Sequence, residues 1–274
     1  MMSEFNFDEI RIENTNRCAY KCWFCPREKH ERSQGAMSVT DFEILVDKLP
    51  DNCSSIDLHG YGEPLLDDLL QFKVLLAKRK WPDARLRIIS TLGVSRAAEK
   101  VAALADAGLN SIEVSFYGTD RDSYRKSHGV NAFDLARNNL AALLSMNIEG
   151  LQIKVRSLDG ADEPEGVTAQ PKSSSIKKGK LHNYGDGRAF NKSPIGTCSV
   201  VNGLRSRILQ VTWDLDVIPC CFDYNAELKL GNLRNSNLRE IFEGEIYRNF
   251  INAHISNELS SLSPCNKCEK CFLQ

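Results

Sequence analysis

Five short runs of the chain are rich in Ile, Leu and Val and break off at polar or glycine residues: DEIRIENT (8–15), SSIDLHGYG (54–62), ARLRIIST (84–91), NSIEVSFYG (110–118) and EGLQIKVRS (149–157). That pattern predicts strands. Between them apolar residues recur at helical spacing: Phe42, Leu45, Val46 and Leu49; Leu66, Leu69, Leu70, Phe72 and Leu76; Val101, Leu104 and Leu109; Leu135, Leu140, Leu143 and Leu144. Strand and helix alternate at about 25 to 30 residues, the rhythm of βα units around a parallel sheet, so the expected class is α/β. In such sheets functional groups gather at the carboxyl ends of the strands.

After Leu158 the rhythm breaks. Residues 159 to 198 are polar and rich in Gly, Pro, Ser and Lys, which predicts an irregular bridging region or lid. Within it HNYGDGRAFN (182–191) reads as a solvated connector or a substrate-facing loop. Then SRILQVTWDLDVIPCCFD (206–223) places two alternating apolar runs either side of Asp214-Leu215-Asp216, a β-hairpin pattern. Short helices are predicted near 236–243 and 245–255, and CNKCEKC follows at 265–271. The expected division is 1–158, a bridge over 159–197, and 198–274.

Composition narrows the function classes. The chain has 274 residues, 42% hydrophobic and 26% charged, with net charge −1. That is enough apolar material for a core and gives no electrostatic reason to expect nucleic acid or an anionic membrane as partner. A small polar ligand fits better. The polar, acidic amino terminus lacks the features of a signal peptide, and no stretch approaches the about eighteen apolar residues of a membrane span, so a cytoplasmic setting is expected.

Ten cysteines in a reducing compartment point to metal ligation or thiol chemistry before disulfides. Cys18, Cys22 and Cys25 share one loop after the first predicted strand, and Cys198, Cys220, Cys221, Cys265, Cys268 and Cys271 fall in the last third. Cys53 stands alone and reads as a small hydrophobe. Structural zinc wants four ligands, and only His30 is near enough in sequence to complete the first loop. Bacterial ferredoxin spacing does not match either. Three thiolates on a four-iron cubane would leave one iron open for substrate.

The loop Cys18-x3-Cys22-x2-Cys25, with Phe24 before the third cysteine, resembles the signature of the radical S-adenosylmethionine (SAM) superfamily. The resemblance implies a partial (β/α)6 TIM-like barrel holding a 4Fe-4S cluster with an open site. It also implies SAM bound there and cleaved reductively to a 5′-deoxyadenosyl radical, with Phe24 against the adenine. Tyr61-Gly62-Glu63-Pro64 resembles the family's Gly-Gly-Glu-Pro motif, in which a glycine lets the backbone approach the ligand and the Glu accepts from the SAM ammonium. A plain strand-to-helix turn is the other reading. STLG (90–93), beginning at Ser90, stands where relatives show Thr-Asn-Gly, with Leu92 in place of the Asn. By the same resemblance Ser115 faces the SAM ribose, and His128 or Arg156 reaches its carboxylate.

The hairpin, helix and terminal cysteines resemble the SPASM/twitch extension, in which a strand-turn-strand carrying DG-x-V-x-P-C holds an auxiliary iron-sulfur cluster. Cys198, Cys220, Cys265 and Cys268 are the four ligands implied, with Cys271 an alternative to Cys268 and Asp216 at the usual glycine. A four-cysteine structural zinc is the other reading. An auxiliary 4Fe-4S cluster would take an electron from a substrate radical, coupling C–H abstraction to oxidation.

The resemblance thus implies dehydrogenation of a small polar substrate, an aminocyclitol or sugar alcohol, with flavodoxin or ferredoxin as external reductant. Three alternatives stay open: epimerisation with Cys271 or Cys221 as hydrogen donor, peptide or protein modification, and a non-enzymatic zinc or electron-transfer scaffold. Peptide-modifying relatives commonly carry a leader-binding domain before the cysteine loop, for which the residues ahead of Cys18 leave no room.

Overall fold

The computed structural model describes residues 6–158, 174–179, 198, 201 and 207–268. The first five strands form where the alternating runs predict them: β1 (Glu9–Ile12), β2 (Ser55–Asp57), β3 (Arg85–Ser90), β4 (Ser111–Ser115) and β5 (Gln152–Leu158). Each is joined to the next in parallel register, for example Ile10 beside Ile56 and Ile88 beside Ile112. Parallel strands need crossovers, and helices supply them. These are α1 (Val39–Lys48), α2 (Leu70–Lys80), α3 (Ala97–Asp106), then α4 (Arg121–His128) with α5 (Phe133–Ser145).

β6 (Ser174–Gly179) lies inside the stretch expected to be an irregular bridge and runs parallel to β5. Its sequence, SSIKKG, carries one apolar residue and two lysines, which suits the edge of a sheet and hides it from a pattern search. At the other side β7 (Ile208–Val211) pairs in parallel with β1, and β8 (Asp216–Ile218) and β9 (Gly231–Asn232) continue antiparallel. The predicted hairpin is therefore part of the barrel's own sheet. The strand order is β6-β5-β4-β3-β2-β1-β7-β8-β9, a partial TIM-like barrel that does not close. Two helices, α6 (Leu238–Phe242) and α7 (Glu245–Ile255), follow.

Ile10, Ile12, Ile56, Leu86, Ile88, Ile112, Val114, Ile153 and Val155 share one face of the sheet and pack with Phe42, Leu45, Val74, Val101, Leu140 and Leu143 from the helices. α2 departs from the predicted face. It buries Leu70, Lys73, Val74 and Ala77, while Leu66, Leu69 and Phe72 are exposed. Asp67 sets this: it accepts from Leu69 N at 3.1 Å and holds the buried Lys73 Nζ at 2.6 Å, turning that side of the helix inward. A buried ammonium needs such a partner.

Candidate active site

β1 ends in four consecutive buried polar residues, Glu13, Asn14, Thr15 and Asn16. Glu13, Thr15 and Asn16 close the cysteine loop, while Asn14 Nδ2 donates to Asp67 Oδ2 at 3.2 Å. Thr15 Oγ1 donates to Gly35 O at 2.7 Å, Asn16 Nδ2 donates to Ser33 O at 2.9 Å, and Gly35 N donates to Asn16 Oδ1 at 2.8 Å. Arg27 Nη1 braces the loop from within at Tyr20 O. Arg32 binds both oxygens of Glu13 at 2.8 and 2.9 Å, and the same carboxylate receives Tyr61 N at 3.2 Å. The loop is thereby tied to the end of β2.

Cys18, Cys22 and Cys25 sit in this loop, each partly exposed. Burial pushes the Cys18 thiol up to about 11 and the Cys22 thiol higher, with the neighbouring cysteines adding to the effect. Metal ligation requires the thiolate, so a metal charge is what such a loop calls for. Among the described residues no three His, Cys, Asp or Glu side chains converge tightly enough for a single metal ion. Three thiols in one loop match the donor set of a cluster with one open iron, whereas a closed structural zinc site takes four ligands. His30 is not a fourth ligand in waiting: its ring stacks on Tyr224 and meets the edge of Tyr61, at centroid distances of 5.7 and 4.9 Å. Phe24 meets Tyr117 edge-on at 4.9 Å.

His128 is fully buried at the end of α4, with Nδ1 3.3 Å from Cys22 Sγ and Nε2 accepting from Tyr117 N at 3.1 Å. Both ring nitrogens are thus occupied by the protein. The expected reach to a SAM carboxylate is not available to this ring.

Glu63 is buried at the end of β2 with four donors on its carboxylate. Ser90 Oγ and Leu65 N lie at 2.6 and 3.3 Å from Oε1, and Thr91 N and Oγ1 both lie 2.8 Å from Oε2. Burial raises its affinity for a proton while these donors oppose that rise. Ser90, expected on the cofactor, orients Glu63 in the structure, and Thr91 was missed. Gly62 is required by the chain itself: a Cβ would stand 2.4 Å from Thr15 O. Leu92 takes the left-handed backbone (φ 55°), a conformation Asn adopts more readily, and Asn139 Nδ2 holds its carbonyl at 2.8 Å.

The sheet face away from the helices carries an alternating ladder of charge. Arg11 pairs with Glu9 and lies 3.9 Å from Asp57; Arg87 pairs with Asp57, 2.5 Å from Glu113; Arg156 stands 2.6 Å from Glu113. Burial pushes the Glu113 carboxyl up, but Arg156 and Arg87 hold it below the usual range. Arg156 therefore belongs to this ladder; its neighbour across the register, Ser115, is partly buried. His59, missed in the sequence, has a buried Nδ1 without a hydrogen-bond partner. Burial, Arg87 and Arg11 bring its pKa down to about 3, so it is neutral. The signal for the ladder was legible: charged residues at alternate positions of strands whose other face is apolar.

The second cysteine group gathers below β8. Cys220 follows that strand, Cys265 and Cys268 lie on a short 3-10 turn, and Cys198 N donates to His254 Nδ1 at 3.4 Å. Burial, then the negative charge of the neighbouring cysteines, holds the Cys220 and Cys265 thiols well above the ordinary value, and each feels Cys198 and Cys268. Cys221 packs in the same cluster, where it acts most strongly of the neighbouring cysteines on Cys220, and its Sγ accepts from Arg11 Nη1 at 3.3 Å. Cys271 and the 182–191 loop lie outside the described residues. Cys53 is partly buried and donates to Ser55 O. The glycine of DG-x-V-x-P-C corresponds to Leu215, not Asp216: Leu215 has φ 70°, whereas Asp216 binds Asn232 Nδ2 at 2.8 Å and pairs with Lys229.

Two family models match the chain: the radical SAM superfamily over residues 12–159 and SPASM, an iron-sulfur cluster-binding domain, over residues 203–272. The chain is 23% identical over 273 residues to the S-adenosyl-L-methionine-dependent 2-deoxy-scyllo-inosamine dehydrogenase of Niallia circulans, covering 98% of this chain and 95% of the dehydrogenase. Its fold is similar to that of BtrN in complex with AdoMet and 2-DOIA, with a TM-score of 0.68 at 19% identity, over 98% of this chain and 97% of BtrN. It is also similar to anSMEcpe with bound AdoMet, with a TM-score of 0.61 at 16% identity, over 95% of this chain and 88% of that one.

Proposed function

The chain belongs to the radical SAM superfamily, and from that we propose that it oxidises a secondary alcohol of a small polar substrate, an aminocyclitol or sugar alcohol, to the ketone. The observation that carries this reading is the charged ladder from Glu9 to Arg156 on the sheet face away from the helices, linked through Arg11 to Cys221 of the second cysteine group. A surface of alternating guanidinium and carboxylate groups matches the hydroxyls and ammonium of an aminocyclitol and rejects an apolar one. The likeness to a dehydrogenase along nearly the whole chain supports the same substrate class.

Cys18, Cys22 and Cys25 are proposed to ligate the open-site 4Fe-4S cluster, and Cys198, Cys220, Cys265 and Cys268 the auxiliary one. With SAM bound, the first cluster supplies a 5′-deoxyadenosyl radical, given an electron from an external reductant such as flavodoxin or ferredoxin. The rest falls to the chain's own residues. Phe24, Tyr61 and Ser115 are proposed to border SAM, with Gly62, Ser90 and Glu63 fixing the turn that receives its amino group. Arg87, Glu113 and Arg156 orient the substrate, which is most of what positioning catalysis requires. The neutral His59, held near pKa 3 by burial, Arg87 and Arg11, stands among the charges of the ladder as a positioning group and not as the proton acceptor.

Arg11 at Cys221 favours dehydrogenation over epimerisation. A sulfur engaged by a guanidinium donor is less open to a substrate radical than a free thiol. No helix among the described residues is long and apolar enough to cross a membrane. The test is anaerobic incubation of reduced, cluster-loaded protein with SAM and a panel of aminocyclitols and sugar alcohols. The expected result is 5′-deoxyadenosine and a ketone with at least one of them; cleavage of SAM with none would reject the substrate class.

A further inference from the structure

His128 does more than fill space beneath the cysteine loop. Its backbone carbonyl receives Lys21 N at 3.1 Å, so the loop is clamped to the residue whose ring touches Cys22. The ring itself is caged: it stacks on Tyr117 with planes 11° apart, lies 4.2 Å from Tyr124 between centroids, and meets Tyr20 edge-on. Gly129, in the left-handed conformation with φ 70°, ends α4 directly after it. The orientation is fixed on every side.

The tautomer follows from the geometry. A backbone N–H can only donate, and Tyr117 N reaches Nε2 at 3.1 Å, so Nε2 presents its lone pair. In the neutral ring the proton is then on Nδ1, which faces Cys22 Sγ at 3.3 Å. We propose that His128 is a positioning residue that donates an Nδ1–H···S hydrogen bond to Cys22 and raises the reduction potential of the cluster held by Cys18, Cys22 and Cys25. The inference rests on the radical SAM reading of that loop. A donor on a ligating sulfur draws negative charge from it and favours the reduced, more negative cluster; hydrogen bonds to sulfur are one of the protein's means of setting such potentials. Among the described residues His128 is the one side chain within donor distance of this sulfur, so one ring carries the effect.

The test is a potentiometric titration of cluster-loaded protein followed by electron paramagnetic resonance, reading the signal that responds to added SAM. His128→Phe keeps an aromatic ring in the cage and removes the donor; His128→Asn returns an amide N–H near the position of Nδ1. Expected is a tenfold loss in the equilibrium constant for reduction in His128→Phe, about 59 mV for one electron, with at least half restored in His128→Asn. An unchanged midpoint in His128→Phe overturns the proposal, as does an equal fall in both variants, which would assign the effect to packing. Should His128→Phe not fold, wild-type protein labelled with ¹⁵N-histidine decides: a ring-nitrogen coupling to the reduced cluster in pulsed measurements is expected, and its absence overturns the proposal. A wild-type protein with no SAM-responsive signal would reject the underlying reading instead.

Discussion

Arg11 Nη1 lies 3.3 Å from Cys221 Sγ, joining the first strand of the barrel to the residue next to Cys220 across 210 positions of sequence. The pair connects the charged ladder on the sheet to the second cysteine group. Both thiols of the hairpin sit in the second cysteine group, and Cys221 is also held by a guanidinium.

If Cys221 is an arginine-paired sulfur and not a hydrogen donor, Cys221→Ser keeps the wild-type iron content and loses less than about tenfold in ketone formation. Reactions in deuterated water, followed by mass spectrometry, are expected to give a ketone and no epimer carrying solvent deuterium. An epimerised product labelled at the reacting carbon would assign Cys221 or another thiol as donor.

Glu63→Gln is expected to be costly. Both carboxylate oxygens accept two donors, so the amide nitrogen faces either Thr91 N and Oγ1 or Ser90 Oγ and Leu65 N. Leaving buried donors unmatched costs about 1–3 kcal/mol, measurable as a lower midpoint of urea unfolding. SAM binding weakens with it because the turn at Gly60–Glu63 loses its brace. Wild-type stability in this variant would mean that the four donors find other acceptors.

His59→Gln tests a positioning role. The neutral ring stands among Arg11, Arg87, Glu9 and Glu113 on the face assigned to the substrate. Misplacing a substrate by a small distance costs about 10²-fold, and the account predicts a loss of that order in ketone formation, with iron content unchanged and 5′-deoxyadenosine still formed. Undiminished ketone formation would remove His59 from the site.

Acid should destabilise the protein before its carboxylates titrate. His59 and His128 have pKa values near 3 and His30 near 4, in each case with burial as the largest cause, against an unfolded value of about 6.5. Because the folded values are depressed, the stabilisation is present above pH 6.5 and is lost as the pH falls below it, when the unfolded chain takes up protons the folded one refuses. The slope is about 1.4 kcal/mol per histidine per pH unit. Asp223 works the other way: burial raises its carboxyl to about 6, so it binds a proton in the folded state first. The net expectation is a loss of about 3 kcal/mol between pH 7.5 and 5.5, read from urea unfolding.

What the sequence made legible was local. The five strands alternate Ile, Leu and Val with polar residues, and three cysteines within eight positions leave few readings open. What it hid was set by partners far along the chain. Lys73 enters the core because Asp67 meets it there, against every expectation for a lysine on a helix that also carries Leu69 and Phe72. Leu215 holds the left-handed position where a glycine was sought one residue later, and nothing in its own side chain announces that. His128 is recognisable as a histidine near a strand end, but only the folded chain shows which nitrogen meets Cys22. Glu63 was legible as a motif residue, whereas three of its four donors come from Ser90 and Thr91, at the end of another strand.

The central claim is that two cysteine groups divide the reaction, one cleaving SAM and the other accepting the substrate's electron. It is tested most directly by measuring 5′-deoxyadenosine and ketone together in wild type, Cys22→Ala and Cys220→Ala under anaerobic reduction with an aminocyclitol substrate. Equal amounts of both products in wild type, neither in Cys22→Ala, and 5′-deoxyadenosine without ketone in folded Cys220→Ala are the results predicted. SAM cleavage surviving in Cys22→Ala, or full ketone formation in Cys220→Ala, would contradict it.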